Sequence, residues 1–586
     1  MKEPLNQTWD LETFFAGGSD SESFQKFIAD IEDHIAAFRE LMGQEKSDLL
    51  SSVELMQKIR MELLEASSFT GCLMAENMND LKAVQLSNKI TALYAQFEGV
   101  QTLLADTLLK MEEAELDQWI KDNKMDNISF ALHEIRTVAK KKLPAEQEAL
   151  IEALAVDGYH GWSSNYDTVV SQLKFPFEED GEVKELSAGQ AYNKLSSKDR
   201  DVREKMFKTW EEGWGNAAQN CADALNHIAG FRLQTYAHRK WDDVLQEPLG
   251  INRMSEKTLQ TMWSVIEENK KKFIPYFEKK AQLLGVDTLS WHDVEAPVGK
   301  LSKTYGYDEA AQLIVKQFEG ISPKMAEFAA MSFENNWIEV EDRGGKRPGG
   351  FCTPFPVSEE TRVFMTFEGT ASNVSTLAHE LGHAYHEYAM KGMPNLARDY
   401  AMNVAETAST FAEMIVSDAA IEAAQSSDEK LFLLDDKIQR SIAFYMNIHA
   451  RFLFETRFYE ERKNGTVSVE RLNELMVTAQ KDAYLDQLGD YHPHFWASKL
   501  HFYITSYPFY NFPYTFGYLF SAGIYARAAE KGTSFEDDYI ALLQDTASMK
   551  VEDLASKHLG VDLTKPDFWQ SALDISLDDV DQFLKL

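Results

Sequence analysis

The stretch TLAHELGHAYHEYA constrains this chain more tightly than any other feature, because it sets two imidazoles four residues apart on what otherwise reads as a core-facing helix. Positions i and i+4 of a helix lie one above the other, so His379 and His383 can aim ring nitrogens at one ion. Zinc is the natural occupant of such a pair. Glu380 is turned about 100° around the helix from His379, beside the ion and not on it, where it can take a proton from an attacking water and pass it to a departing amine. Without an ion, two histidines and a glutamate on such a helix need other buried partners. The helix is expected to open near Ser372 or Asn373.

A catalytic zinc keeps three protein ligands and one open position. Gly392, Met393 and Pro394 let the chain turn back, and DYAMNVAETASTFAEMIVSDAAIEAA then begins a second helix. Glu406 is flanked there by Ala405, Ala408 and Ser409, small residues that let two helices pack closely and bring a carboxylate to the ion. It is the expected third ligand. Glu413, two turns on and near the same face, either supports the site from behind or is an ordinary hydrated glutamate. His386 follows His383 too closely for all three histidines to grip one compact ion, so supporting or structural duty is expected of it.

Attack on a peptide carbonyl develops an oxyanion, and a neutral or cationic donor aimed at it lowers the barrier. The segment HPHFWASKLHFYITSYPFYNFPYTFGYLFSAGIYARA is rich in such donors: His492, His494, His501, Tyr503, Tyr507, Tyr510, Tyr514 and Tyr518. Spacing alone does not choose among them. Tyr510, Tyr514 and Tyr518 share a face if helical, but Pro513 can start the helix, leaving Tyr510 in the approach loop and Tyr514 in the first turn.

HELGHAYH, AETASTFAE and the pair WASKLHFY with PFYNFPYTFGY together resemble the thimet-oligopeptidase family of zinc metallopeptidases, and its oligoendopeptidase F branch most closely. AETAS stands where the thimet branch has a VExPS-type pattern, which assigns the branch. The resemblance implies a mainly α fold: a two-lobed helical shell around a deep substrate channel, with a small β-sheet beside the HExxH helix. It implies one Zn2+ held by His379, His383 and Glu406, with Glu380 as general base. It also implies that His501 is the catalytic histidine of the family's late motif, that Tyr510 and Tyr514 touch the tetrahedral intermediate, and that the substrates are short peptides.

Elsewhere, residues from about 20 to 150 read as long amphipathic helices, as in the run Leu86, Lys89, Ile90, Leu93 and Phe97. The pattern dissolves between Phe175 and Gln190 into a turn-rich, charged passage suited to a hairpin. The expected division is an N-terminal helical domain over 1–185 and a metallopeptidase domain over 186–586. Helical blocks return over Asp199–Ala237, Ser255–Leu284 and Tyr307–Asn336. Trp337–Thr370 is different, with alternating Ile338 and Val340, turns at Gly344, Gly345, Gly349 and Gly350 and the strand-forming run Val363–Phe367, so a small sheet is expected just before the HExxH helix. A free strand edge near Val363–Gly369 would hold an extended peptide backbone, with Gly349, Gly350 and Phe351 lining the same cleft; the alternative is a plain structural hairpin.

The 586 residues are 44% apolar, enough to build a large core and to exclude a disordered chain. With 94 acidic against 59 basic side chains the formal charge is -35, which disfavours nucleic acid and anionic membrane as partners. The short runs Lys140–Lys142 and Lys270–Lys272 read as solvated helix faces. Cys72, Cys221 and Cys352 lie too far apart in sequence for a metal cluster or disulfide framework, and with no leader-like start or long apolar stretch the expected location is the cytoplasm. Two other functions compete: a zinc metallocarboxypeptidase, for which no carboxylate-holding cation is identifiable, and a non-catalytic helical peptide-binding protein, against which the general base argues.

Overall fold

The computed structural model describes residues 4–44, 48–179, 181–300 and 304–586. The chain is mainly helical, with two small sheets, and forms two compact units, each assembled from three stretches of sequence. The first comprises Met1–Ala145, Lys303–Ala420 and Ile524–Val561; the second comprises Glu146–Ser302, Ile421–Gly523 and Asp562–Leu586.

In the first unit, helices Glu22–Met42, Leu49–Glu76 and Leu81–Lys110 each begin at a residue whose side chain accepts from the opening backbone N–H groups: Ser21, Asp48 and Asp80. Their apolar stripes meet in one core, where Phe24, Ile28, Ile31, Ile35 and Phe38 join Val53, Met56, Ile59 and Leu63 with Ile90, Leu93 and Phe97. The same core takes in Phe355 and Phe364, so these helices are packed onto the sheet that approaches the HExxH helix.

Numbering strands along the chain, β1 (Phe175–Glu179) and β2 (Glu182–Leu186) form an antiparallel hairpin in the second unit, where the turn-rich passage predicts one. In the first unit, β3 (Ile338–Glu339), β4 (Phe351–Phe355) and β5 (Glu360–Phe364) form a three-stranded sheet of order β3-β5-β4, with β3 parallel and β4 antiparallel to β5. The expected free edge near Val363 is corrected here: Val363 lies in the central strand, paired on both sides, and Met365 and Phe367 donate to the β3 side at Glu339 O and Val340 O. The edge strand is β4. Pro354 explains the order, since a residue with no N–H is tolerated at an edge and not between two strands, while four of the five β5 residues are buried.

The second unit is built around the 40-residue helix Arg200–Arg239, opened by Asp199. Arg203 on its first turn is fully buried and pairs with buried Asp293 at 2.9 Å, donating also to Ser197 O at 2.7 Å. Lys280 and Asp435 make a second buried pair at 3.0 Å. Lys270, expected on a solvated face, is buried against His449 Nδ1 at 2.6 Å, whereas Lys140, Lys141 and Lys142 are exposed as expected. Among the described residues, no helix is long and apolar enough to cross a membrane.

Candidate active site

The HExxH helix runs from Ala371 to Ala389, opened one to two residues earlier than the sequence suggests by a reciprocal cap in which Thr370 accepts from Asn373 N and the Asn373 side chain accepts from Thr370 N. His379 and His383 stand a turn apart with ring centroids separated by 4.9 Å. Their Nε2 atoms converge on one oxygen, Glu406 Oε2, at 3.3 and 3.5 Å. Ser409 Oγ donates to that same oxygen at 2.9 Å.

Glu406 does not lie inside an unbroken helix. A short turn, Met402–Ala405, ends at Glu406, and the next helix, Thr407–Ala423, begins after it. The break turns the carboxylate toward the histidines. Close approach of the two helices depends on Gly382: a Cβ there would lie 2.5 Å from Ala408 O and 2.6 Å from Ser409 Cα. The motif glycine is therefore a packing requirement, with Ala408 and Ser409 as the small residues opposite it.

Glu413 supports the site from behind, accepting from His379 Nδ1 at 3.1 Å and so leaving Nε2 as the nitrogen presented to the front. His386 is fully buried, faces Thr546 Oγ1 at 3.0 Å and stacks on Tyr400 at 4.3 Å. It is a packed structural histidine and not a ligand.

Burial works to lower the His379 pKa, but hydrogen bonds to Glu406 and Glu413 outweigh it and raise the ring to about 10. His383 shares only Glu406, and there burial prevails, taking it down to about 4. Burial would raise Glu406, yet its bond to His379 and the charge of His383 bring it down to about 2, so it is a carboxylate at any working pH. Glu380 shows the opposite balance: burial, reinforced by Glu406 and Glu413 against the pull of His379, raises its carboxyl to about 7. That is the range in which a carboxyl can both accept and return a proton.

These groups line a cleft of about 340 Å³, together with Gly350, Phe351, Cys352 and Pro354 of the edge strand and its approach, and with Glu387 and Tyr400. At Gly350 the chain passes close to Glu380, since a Cβ there would meet Phe364 O at 3.3 Å and Glu380 Oε1 at 3.4 Å. Tyr400, which the sequence reading passes over, donates to Glu387 Oε1 at 2.7 Å, and Arg398 holds the other oxygen at 3.1 Å. Its only signal in sequence is its place just ahead of the ligand turn.

The late histidines and tyrosines separate into two groups within the second unit. His492 and His494 both bond to Glu211, Tyr503 stacks on Tyr166 at 3.6 Å, and Tyr518 is within 2.8 Å of Ser441 Oγ. His501, Tyr510 and Tyr514 instead form a ring cluster with centroids 5.5 to 6.0 Å apart. The helix carrying Tyr514 starts at Phe512, so Tyr510 is in the loop before it, as Pro513 suggests. That loop is tied down by Arg232 to Ile504 O, Tyr159 to Thr505 O and Asn511 to Glu455. Burial, then the charges of Arg451 and Lys499, push His501 down to about 3, so it is a neutral imidazole.

Two imidazole nitrogens and one ionised carboxylate oxygen, all within 4.8 Å of one another, match the donor types and number that a catalytic zinc takes, with the cleft left open beside them. An HExxH helix joined by a glutamate from a following helix is the arrangement of a zinc metallopeptidase. Residues 194–575 match the description Peptidase family M3, and residues 108–175 match Oligopeptidase F. The chain belongs to peptidase family M3 and to its oligoendopeptidase F branch. It is 23% identical to an oligoendopeptidase F homolog of Lactococcus lactis, over 97% of this chain and 95% of that one. It is also 23% identical to oligopeptidase PepF of Bacillus subtilis, over 99% and 87%. The solved oligoendopeptidase-F of Enterococcus faecium shares the fold with a TM-score of 0.71 at 18% identity, covering 97% of this chain and 99% of that one.

Proposed function

We propose that the protein cuts internal bonds of short oligopeptides as a zinc-dependent endopeptidase, with His379, His383 and Glu406 holding the metal and Glu380 acting as general base. The observation that carries this is the convergence of both Nε2 atoms on Glu406 Oε2, with the Glu380 carboxyl raised to about 7 in the same cleft. A zinc bound there would supply Lewis-acid polarisation of the scissile carbonyl and would lower the pKa of water toward neutrality. Glu380 would take a proton from the attacking water at its carboxylate and return it to the departing amine. Glu413 keeps the His379 ring oriented.

The edge of β4 is suited to hold the substrate backbone. The Pro354 carbonyl turns away from β5 to accept from Ser68 Oγ at 2.7 Å, and Cys352, two residues back on the same edge strand, lines the cleft. Main-chain pairing of that kind ignores side-chain identity, which suits a peptidase acting on many sequences. His501, Tyr510 and Tyr514 are proposed as the donors to the oxyanion. Their common ring cluster and the neutral state of His501 support the role. The three cysteines are free thiols, which supports a cytoplasmic location.

The test is the product pattern from a peptide blocked at both ends. Internal fragments are expected from the zinc-loaded protein. Complete resistance, with stepwise loss of C-terminal residues from the unblocked peptide, would replace this reading with an exopeptidase.

A further inference from the structure

Among the described residues, two cations in the second unit, Arg451 and Lys499, make no ion pair. Arg451 is only 9% exposed. Its Nε donates to Asn447 Oδ1 at 2.9 Å, and its other guanidinium nitrogens have no hydrogen-bond acceptor among the described residues. Lys499 is half-buried, and its amine likewise has no acceptor there. Both heads lie over the Phe495 ring, at 5.4 Å for the guanidinium and 5.3 Å for the amine, and the amine is also 5.2 Å from the Tyr192 ring. Glu295 is the carboxylate whose charge both cations feel, but it takes the Tyr192 hydroxyl at 3.4 Å and makes no ion pair with either.

Two like charges held around one aromatic ring, close enough that the charge of Arg451 acts on Lys499, are costly unless an anion completes the set. Burial and the neighbouring Arg451 charge push the Lys499 amine down to about 8, which an anion between the two heads would reverse. The planar guanidinium offers a fork that matches a carboxylate, and the ammonium adds a point charge. His501 feels the positive charge of both, which places the pair in the neighbourhood of the His501, Tyr510 and Tyr514 cluster.

We propose that Arg451 and Lys499 form a carboxylate-binding subsite for peptides, taking either a free C-terminus or an acidic side chain. What the ligand is rests on the peptide-cleaving reading above; that an anion belongs here does not. The subsite supplies the carboxylate-holding cations that the sequence does not reveal.

The experiment uses full-length, zinc-loaded protein carrying Glu380→Gln, so that binding is measured without turnover. Calorimetry compares four N-acetylated pentapeptides. One pair has a neutral sequence ending in a free acid or an amide; the other is amidated and carries Glu or Gln at one internal position. At least one carboxylate-bearing member is expected to bind about tenfold tighter than its neutral partner, and the pair that discriminates identifies the source. The same preference is expected to shrink to about twofold when Lys499→Met is added, with Arg451→Met as a second variant and a melting curve to show that each is folded. Equal binding of all four peptides overturns the subsite, as does discrimination that survives in folded Lys499→Met. Discrimination intact while the parent protein cleaves neither pair overturns the peptidase reading and leaves the subsite standing. Failure of all four to bind overturns both.

Discussion

Glu380 has one oxygen near the glycine approach to the cleft and a carboxyl lifted to about 7 by burial, a state with no structural purpose. Glu380→Gln keeps the shape and removes the proton exchange. It is expected to retain one zinc per chain and to lose kcat by about 10²- to 10⁴-fold on a quenched peptide; full activity in that variant would remove Glu380 from the mechanism. Glu413→Ala frees His379 Nδ1, and zinc affinity, measured by competition with a chromogenic chelator, is expected to fall about 10- to 100-fold. The two imidazoles and Glu380 are legible in sequence because helix geometry fixes their relation whatever surrounds them. Glu413 is not, since a supporting carboxylate and a hydrated one look the same until the facing helix is in place. Arg451 and Lys499 leave no trace for the same reason: a cation's lack of a partner is a property of the fold.

Helices and strands add requirements that single residues do not show. Gly382→Ala puts a methyl group against Ala408 O and Ser409 Cα and forces the HExxH helix away from the helix that follows Glu406. A loss of about 1–3 kcal/mol of stability is expected, together with weaker zinc binding, read from urea denaturation and metal competition. The amphipathic helices before residue 150 and the β1–β2 hairpin are visible in sequence, because capping residues, stripe spacing and turn residues all act locally. The break at Glu406 is less so, because no Gly or Pro between Met402 and Ser409 marks a stop and tertiary packing decides where one run ends. The edge strand could have been read from Pro354, but Val363–Phe367 is the stronger strand former and draws attention to what is in fact the centre of the sheet. Lys270 shows the same limit, since its run of three lysines reads as solvated and only the fold places it against His449.

At the scale of the whole chain, each compact unit joins segments far apart in sequence, and its buried ion pairs have no local signature. Asp293 meets Arg203 in this way. Burial would raise its carboxyl, but the Ser290 backbone and the two arginines outweigh it and hold it below the ordinary value. A depressed carboxyl contributes stability that is complete above its unfolded pKa near 4 and is lost as pH falls through the folded one. Asp293→Asn is therefore expected to cost about 3–5 kcal/mol at pH 7, where Arg203 is left buried without its anion, and the gap from the parent protein should narrow as urea melts are taken down from about pH 5 toward pH 3. A gap that stays constant would show that the charge of Asp293 is not what matters. The central claim, that one ion held from two adjacent helices drives peptide cleavage, is tested most directly by measuring zinc content and internal cleavage on one preparation before and after chelation and after zinc is restored. The account predicts one zinc per chain, activity that falls and returns with it, and no return in Glu406→Ala; metal-free protein that cleaves at the full rate would contradict it.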